Sequence, residues 1–168
     1  MSSANILVVD DEDSIRHFVS RSLKDEGYHV RSAGDGDEAR SMFHEDVPDV
    51  VVLDMKLGDT NGLDLLSEFK QAAPDTVVIV ITAFGETETA VKAMSLGAFY
   101  FLKKPLQLEE LNTIVGRGFE KIRLSREVEH LRIAAMRRCS TSRESRIFSK
   151  PRPTMVLSSS SWSGFLRK

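Results

Sequence analysis

Four short stretches of this chain end in side chains that could do chemistry together. Asp10-Asp11 follows Asn5-Ile6-Leu7-Val8-Val9, and Asp54 closes Val50-Val51-Val52-Leu53. Thr82 closes Thr76-Val77-Val78-Ile79-Val80-Ile81, and Lys104 stands two residues past Ala98-Phe99-Tyr100-Phe101-Leu102. Taken alone, Asp54 reads as a cap of a strand or turn, a common role for aspartate. The other three stretches change that reading. Three carboxylates brought into one place repel and raise one another's pKa values. A hard divalent cation relieves the repulsion, and Mg²⁺ prefers carboxylates, waters and phosphate oxygens. Lys104 adds a positive charge and Thr82 a hydroxyl, and both suit a phosphoryl group held on Asp54. Phosphoryl transfer needs in-line positioning and neutralised charge more than covalent chemistry from the protein. Mg²⁺ bridging Asp54 and the phosphoryl oxygens, with Lys104 and Thr82 on the remaining oxygens, would supply both.

The elements that must position these residues can be read from periodicity. Each apolar run is short and bounded by turn residues, as in a fully buried parallel strand. Pro48 precedes the Asp54 run, and Gly58, Asp59, Asn61 and Gly62 follow it as a loop. Residues 28–32 alternate, as a strand near a sheet edge does. Helices are expected over 14–26, with Ile15, Phe18, Val19 and Leu23 inward, and over 37–44. A third opens at Gly62 and stops before Pro74, and a fourth covers 86–96. A last, long helix is expected to start at Pro105, which the first helical turn tolerates. Strand and helix alternate five times, which predicts an α/β fold: a doubly wound five-stranded parallel sheet with helices on both faces and right-handed crossovers. In the flavodoxin-like order 2-1-3-4-5, strands 1 and 3 are neighbours at the switch point, where ligands bind at the carboxyl ends. Asp10, Asp11 and Asp54 then converge on one crevice.

Bulk properties narrow the class. No apolar run reaches the length of a membrane span, and Met1-Ser2-Ser3-Ala4-Asn5 has no secretory pattern. Cys139 is the single cysteine, so an internal disulfide is excluded and a reducing cytoplasm is the expected setting. The formal net charge of −2 hides an asymmetry. Residues 1–124 carry 13 Lys+Arg against 22 Asp+Glu, a balance of −9; residues 125–168 carry 10 against 3, a balance of +7. This describes an acidic domain with a basic appendage. His17, His29, His44 and His130 form no ligand-spaced set.

Residues 4 to about 120 resemble the receiver domain of two-component response regulators. Asp10-Asp11, Asp54, Thr82-Ala83 and Lys104-Pro105, in this order, carry the resemblance. Phe99 to Pro105 and the helix beyond are similar to the nitrogen-regulator sub-group, whose members activate transcription with an ATPase domain and an alternative sigma factor. The resemblance implies that Asp54 takes a phosphoryl group from a phosphohistidine on a cognate histidine kinase. It implies that Asp11 ligates Mg²⁺ directly, Asp10 mainly through water, and Lys56 through its backbone carbonyl. It implies that Thr82 and Lys104 hold phosphoryl oxygens. Phe101 matches the family's aromatic switch, turning inward as Thr82 moves, so that the fourth helix, fifth strand and fifth helix form the output face. Phe101 reads equally as strand core. The sequence departs from the family at Leu57-Gly58-Asp59, where a proline is frequent; a more flexible loop follows, with consequences for metal affinity and phosphoryl lifetime. Phe84, bulky and apolar, is expected to slow water attack on the acyl phosphate.

The expected organisation is a receiver over 1–122, a helical linker over 123–136 and a basic, Ser/Arg-rich, disordered tail over 137–168. Leu124, Val128, Leu131 and Ala135 form a stripe about two heptads long, suited to a short coiled coil and a homodimer. There is no Gly-x-x-x-x-Gly-Lys-[Ser/Thr] loop and no helix-turn-helix pattern, so neither an ATPase nor a DNA-binding domain is expected. The function expected is a phosphorylation-dependent switch in a phosphorelay, not a turnover enzyme. Three rivals remain. An Mg²⁺-dependent phosphohydrolase would place a second aspartate where Lys56 stands. The other two are an unphosphorylated receiver-like binding module and a truncated transcriptional regulator. DNA contact through the basic tail is not expected to be the output.

Overall fold

The computed structural model describes residues 4–82 and 87–147, with side chains described to residue 137 except that of Thr87. Ala83, Phe84 and the tail beyond Ile147 lie outside the described residues, and with them the expectations for Phe84 and for a disordered end.

The order of elements is β1 (Asn5–Val9), α1 (Asp13–Asp25), β2 (His29–Ala33), α2 (Gly36–Glu45), β3 (Val50–Asp54), β4 (Lys56–Leu57), β5 (Thr60–Asn61), α3 (Gly62–Ala72), β6 (Val77–Thr82), α4 (Thr87–Ser95), β7 (Tyr100–Lys103) and α5 (Leu108–Ile147). β4 and β5 form a two-residue antiparallel hairpin after Asp54. The other strands build one parallel sheet in the order β2-β1-β3-β6-β7. Setting the hairpin aside, that is the flavodoxin-like order expected from the alternation.

The sheet is buried on both faces, which is why its strands are continuous aliphatic runs and not alternating ones. Because successive side chains point to opposite faces, each strand feeds two cores. Leu7, Val9, Val51, Leu53, Val78 and Val80 pack with Phe43 of α2 and Leu65, Leu66 and Phe69 of α3. Phe43 and Phe69 stack with ring centroids 4.1 Å apart. On the other face Ile6, Val8, Val50, Val52, Ile79 and Ile81 meet Val19 and Leu23 of α1 and Leu111, Ile114 and Val115 of α5. Each fully buried side chain of this kind stabilises the fold by about 1.5–3 kcal/mol.

Register sets the level at which the polar residues emerge. Val9 lies opposite Leu53, and Asp54 opposite Ile81. Asp10 therefore leaves β1 level with Asp54, and Thr82 ends β6 one position further on. Thr82 is opposite Lys103, so Lys104 is the first residue beyond β7.

Helix ends depart from expectation in two places. α5 starts at Leu108, not at Pro105; the Gln107 carbonyl accepts the first helical bond, from Leu111 N–H at 3.0 Å. Proline is tolerated in a first turn but does not impose one. α5 also continues past Met136 to Ile147, so 137–147 are helical where irregular chain was expected. Arginine and glutamate are good helix formers, and a helix that is polar all round shows no periodicity to read. Two compact units divide the chain, residues 1–128 and 129–168. In the first, Leu124 and Val128 are exposed on α5; in the second, Leu131, Ile133 and Met136 are exposed. No helix among the described residues is long and apolar enough to cross a membrane.

Candidate phosphoacceptor site

The carboxyl ends of β1 and β3 deliver two buried aspartates. Asp10 is 1% exposed and Asp54 4%. Asp11 follows on the exposed rim. Ligand oxygens of Asp10, Asp11 and Asp54 lie within 4.8 Å of one another. Lys104 reaches in from the end of β7: its Nζ donates to Asp54 Oδ2 at 2.5 Å and pairs with Asp10 Oδ2 at 3.3 Å. The Lys104 N–H also donates to the Thr82 carbonyl at 2.9 Å, which fixes the lysine beside the end of β6. Thr82 is buried at 1% exposure.

Loop backbone completes the enclosure. The Lys56 N–H donates to Asp54 Oδ1 at 3.1 Å, and the Glu12 N–H to Asp10 Oδ1 at 2.9 Å. Across the crevice the Gly58 N–H donates to Asp11 Oδ2 at 3.1 Å. A proline at position 58 would have no such hydrogen to give. The departure in this loop thus supplies a tie between the β3–α3 loop and the acidic pair.

Electrostatics show what the site lacks. Burial pushes the Asp10 carboxyl above the ordinary aspartate range; the Glu12 N–H opposes this, the negative charge of Asp54 adds to it, and Lys104 offsets part. Burial alone would lower the Lys104 ammonium, but its hydrogen bond to Asp54 and the two carboxylates hold it above the usual lysine value. Among the described residues, Lys104 pairs with Asp10 and Asp54, and Asp11 adds a third carboxylate to the cluster. Among the described residues, the contact of the buried Asp10 Oδ2 is its ion pair with Lys104 Nζ at 3.3 Å. A buried carboxylate beside two further carboxylates fits a hard cation.

A carboxyl whose pKa is raised by folding binds its proton more tightly in the native state. Stability therefore falls as pH climbs from the ordinary carboxylate value through the raised one, and the cost is complete above it. Lys104 does not disturb this window, since its own contribution is lost only above the lysine range. Without divalent cation at pH 7, Asp10→Asn should gain about 1 kcal/mol, roughly 2–4 °C in melting temperature. The gain should vanish as pH is lowered into the carboxylate range. Melting curves of both proteins between pH 4 and pH 8 check it; equal midpoints at pH 7 would refute it.

Asp10, Asp11, Asp54, Thr82 and Lys104 are thus gathered at one end of the sheet, with the Lys56 backbone beside them. Phe101 lies apart from this cluster. It is half-buried against the core on the β7 side, stacked on Tyr100, and lines a groove of about 410 Å³ with Ala90, Val91, Met94, Ser95 and Lys103. Arg16, in contact with the Asp10 carbonyl, has no signal in the sequence. An arginine three positions after Asp13 on a helix reads as a surface charge.

The family model described as the response regulator receiver domain matches residues 6–116. The regulatory protein AtoC of Escherichia coli (strain K12) is 38% identical over 126 residues, 75% of this chain and 27% of that protein. The nitrogen assimilation regulatory protein NtrX of Azorhizobium caulinodans is 39% identical over 130 residues, 76% of this chain and 29% of that protein. Among solved structures, the receiver domain of NtrX from Brucella abortus superposes with a TM-score of 0.66 at 40% identity, covering 68% of this chain and 98% of that one. The chain thus spans 27% and 29% of the lengths of the two curated relatives.

Proposed function

The chain belongs to the response regulator receiver family, and on that premise we propose that it is a phosphorylation switch with Asp54 as phosphoacceptor. The observation that carries the proposal is the Lys104 Nζ–Asp54 Oδ2 contact at 2.5 Å inside the triad of carboxylates. The donor is the phosphohistidine of a histidine kinase. An Asp54 carboxylate oxygen attacks phosphorus as the P–N bond breaks, and the electron pair of that bond stays on the imidazole nitrogen. Held by Asp11, Asp54 and the Lys56 carbonyl, with Asp10 acting mainly through water, Mg²⁺ would supply the positive charge that lets a phosphoryl group approach these carboxylates. Lys104 moves from carboxylate to phosphoryl oxygen, and the Thr82 hydroxyl donates to another. Both interactions strengthen as charge develops on the transferring group.

The output follows from a local charge event that biases two conformations. Thr82 is drawn toward the phosphoryl group, and Phe101 turns inward behind it. Its half-buried position beside an apolar groove supports that motion. The surface altered comprises α4, β7 and α5. Exposed Leu124 and Val128 on α5 support a homodimer linked to this change. The protein acts as a switch reset by hydrolysis of its acyl phosphate and not as a turnover enzyme. We place it in the cytoplasm, where Cys139 stays reduced.

The test is intact-mass spectrometry after incubation with acetyl phosphate, paired with a sizing column. With Mg²⁺ one phosphoryl group is expected, lost in mild base, together with a shift to larger size. Excess chelator should abolish the gain. A folded protein that binds Mg²⁺ yet gains no mass would leave a receiver-shaped binding module instead.

A further inference from the structure

The loop that presents Asp10 and Asp11 is clamped by a side chain outside the carboxylate cluster. Arg16, on the first turn and a half of α1, sends its guanidinium back beneath the end of β1. One terminal nitrogen donates to the Asp10 carbonyl at 2.7 Å. The other donates to the Asp13 carboxylate in the first turn of α1. The plane of the group lies against Gly34, just after β2, where an added Cβ would sit 3.3–3.5 Å from three guanidinium atoms. The Arg16 side chain is only 22% exposed and its bond to the Asp10 carbonyl is part-buried, whereas Asp13 stands in solvent.

The carbonyl that Arg16 holds belongs to the peptide joining Asp10 to Asp11. Fixing that oxygen fixes the plane of the peptide, and so the direction in which Asp11 leaves the strand. Asp10 is restrained by burial and by the Glu12 N–H. Asp11 has neither restraint, being exposed and held across the crevice by the Gly58 N–H. The rigid fork of an arginine can bond a carbonyl and a carboxylate at once, which a lysine cannot do with the same geometry.

We propose that Arg16 is a positioning residue for divalent cation binding, acting through the Asp10–Asp11 peptide to aim the Asp11 carboxylate. The inference rests on the reading of this cluster as an Mg²⁺ site. Groups that orient ligands from behind typically contribute 10- to 100-fold to metal affinity. Arg16→Met should therefore weaken Mg²⁺ binding about tenfold. Phosphoryl uptake from acetyl phosphate should then need more Mg²⁺ for half-maximal rate, with the rate at saturating Mg²⁺ largely restored. A simple loss of folding would lower the maximal rate without that split.

The experiment is an Mg²⁺ titration of the full chain followed by the Lys56 and Gly58 amide resonances, for wild type, Arg16→Met and Arg16→Lys. Arg16→Lys keeps a donor but loses the fork, so its affinity should fall between the other two. It also keeps the test open if Arg16→Met does not fold. Affinities of both variants equal to wild type would overturn the proposal. Absence of Mg²⁺ binding in wild type itself would overturn the metal-site reading, and Arg16's role with it.

Discussion

Asp54→Asn should take up no phosphoryl group from acetyl phosphate under conditions that label the wild type fully. The substitution is close to isosteric, and the side-chain carbonyl oxygen can still accept the Lys56 N–H that now reaches Asp54 Oδ1. What it removes is the negative oxygen that pairs with Lys104 and that, on the proposed function, would attack phosphorus. An amide oxygen is a far weaker nucleophile. Lys104 keeps Asp10 as a counter-charge at 3.3 Å, so the ammonium is not stranded and the variant should fold. The expected difference is therefore complete loss of labelling with a cooperative melt retained. Intact mass and a thermal melt on the same sample check both halves. Labelling of the variant at the wild-type rate would move the acceptor to another residue and sink the assignment.

Gly62→Ala should be the most damaging small substitution near the site. A Cβ there would sit 2.6 Å from the Asp54 carbonyl oxygen and 2.6 Å from Met55 Cα, both backbone atoms without freedom to move aside. Gly62 also donates its N–H to the Met55 carbonyl at 3.1 Å, which holds the start of α3 against the residue after Asp54. Gly62 is the first residue of α3, and alanine is there no worse a helix former than glycine, so a net loss identifies the clash as its cause. Overpacking of this kind costs about 3 kcal/mol, or roughly 6–12 °C in melting temperature. The peptide after Asp54 must shift to admit the methyl. A displacement of the acceptor by a fraction of an ångström should slow phosphoryl uptake about tenfold or more. Calorimetry and single-turnover labelling measure the two effects. An unchanged melting temperature would mean that α3 simply slides away, and the proposed close packing would be wrong.

Asp54 is a proposed chemical requirement, legible only when Asp10, Asp11, Thr82 and Lys104 are read beside it at the ends of the other strands. Gly62 is a requirement of packing, and its neighbours Asp54 and Met55 become visible only once α3 is docked against the end of β3. Arg16 belongs with Gly62: its role rests on a hydrogen bond to a carbonyl six residues back, which no periodicity announces.

The sequence by itself determined the fold class and which polar residues stand at the carboxyl ends of the strands. Continuous aliphatic runs can satisfy their burial only as central parallel strands covered on both faces, and alternation with amphipathic segments then leaves the doubly wound sheet. Placing Asp10, Asp54, Thr82 and Lys104 at or just past the ends of such runs puts them on one edge, whatever the details of packing. The tertiary structure decided everything that depends on separation in space. It set Lys104 on Asp54 across 50 residues and the Gly58 N–H on Asp11 across 47. It buried Asp10 Oδ2 against the Lys104 ammonium. It began α5 at Leu108 and carried it to Ile147. The physical reason is the same throughout. Burial patterns are local and are written in residue order, whereas hydrogen-bond partners, desolvation and counter-charges are properties of neighbours that the chain brings together only by folding.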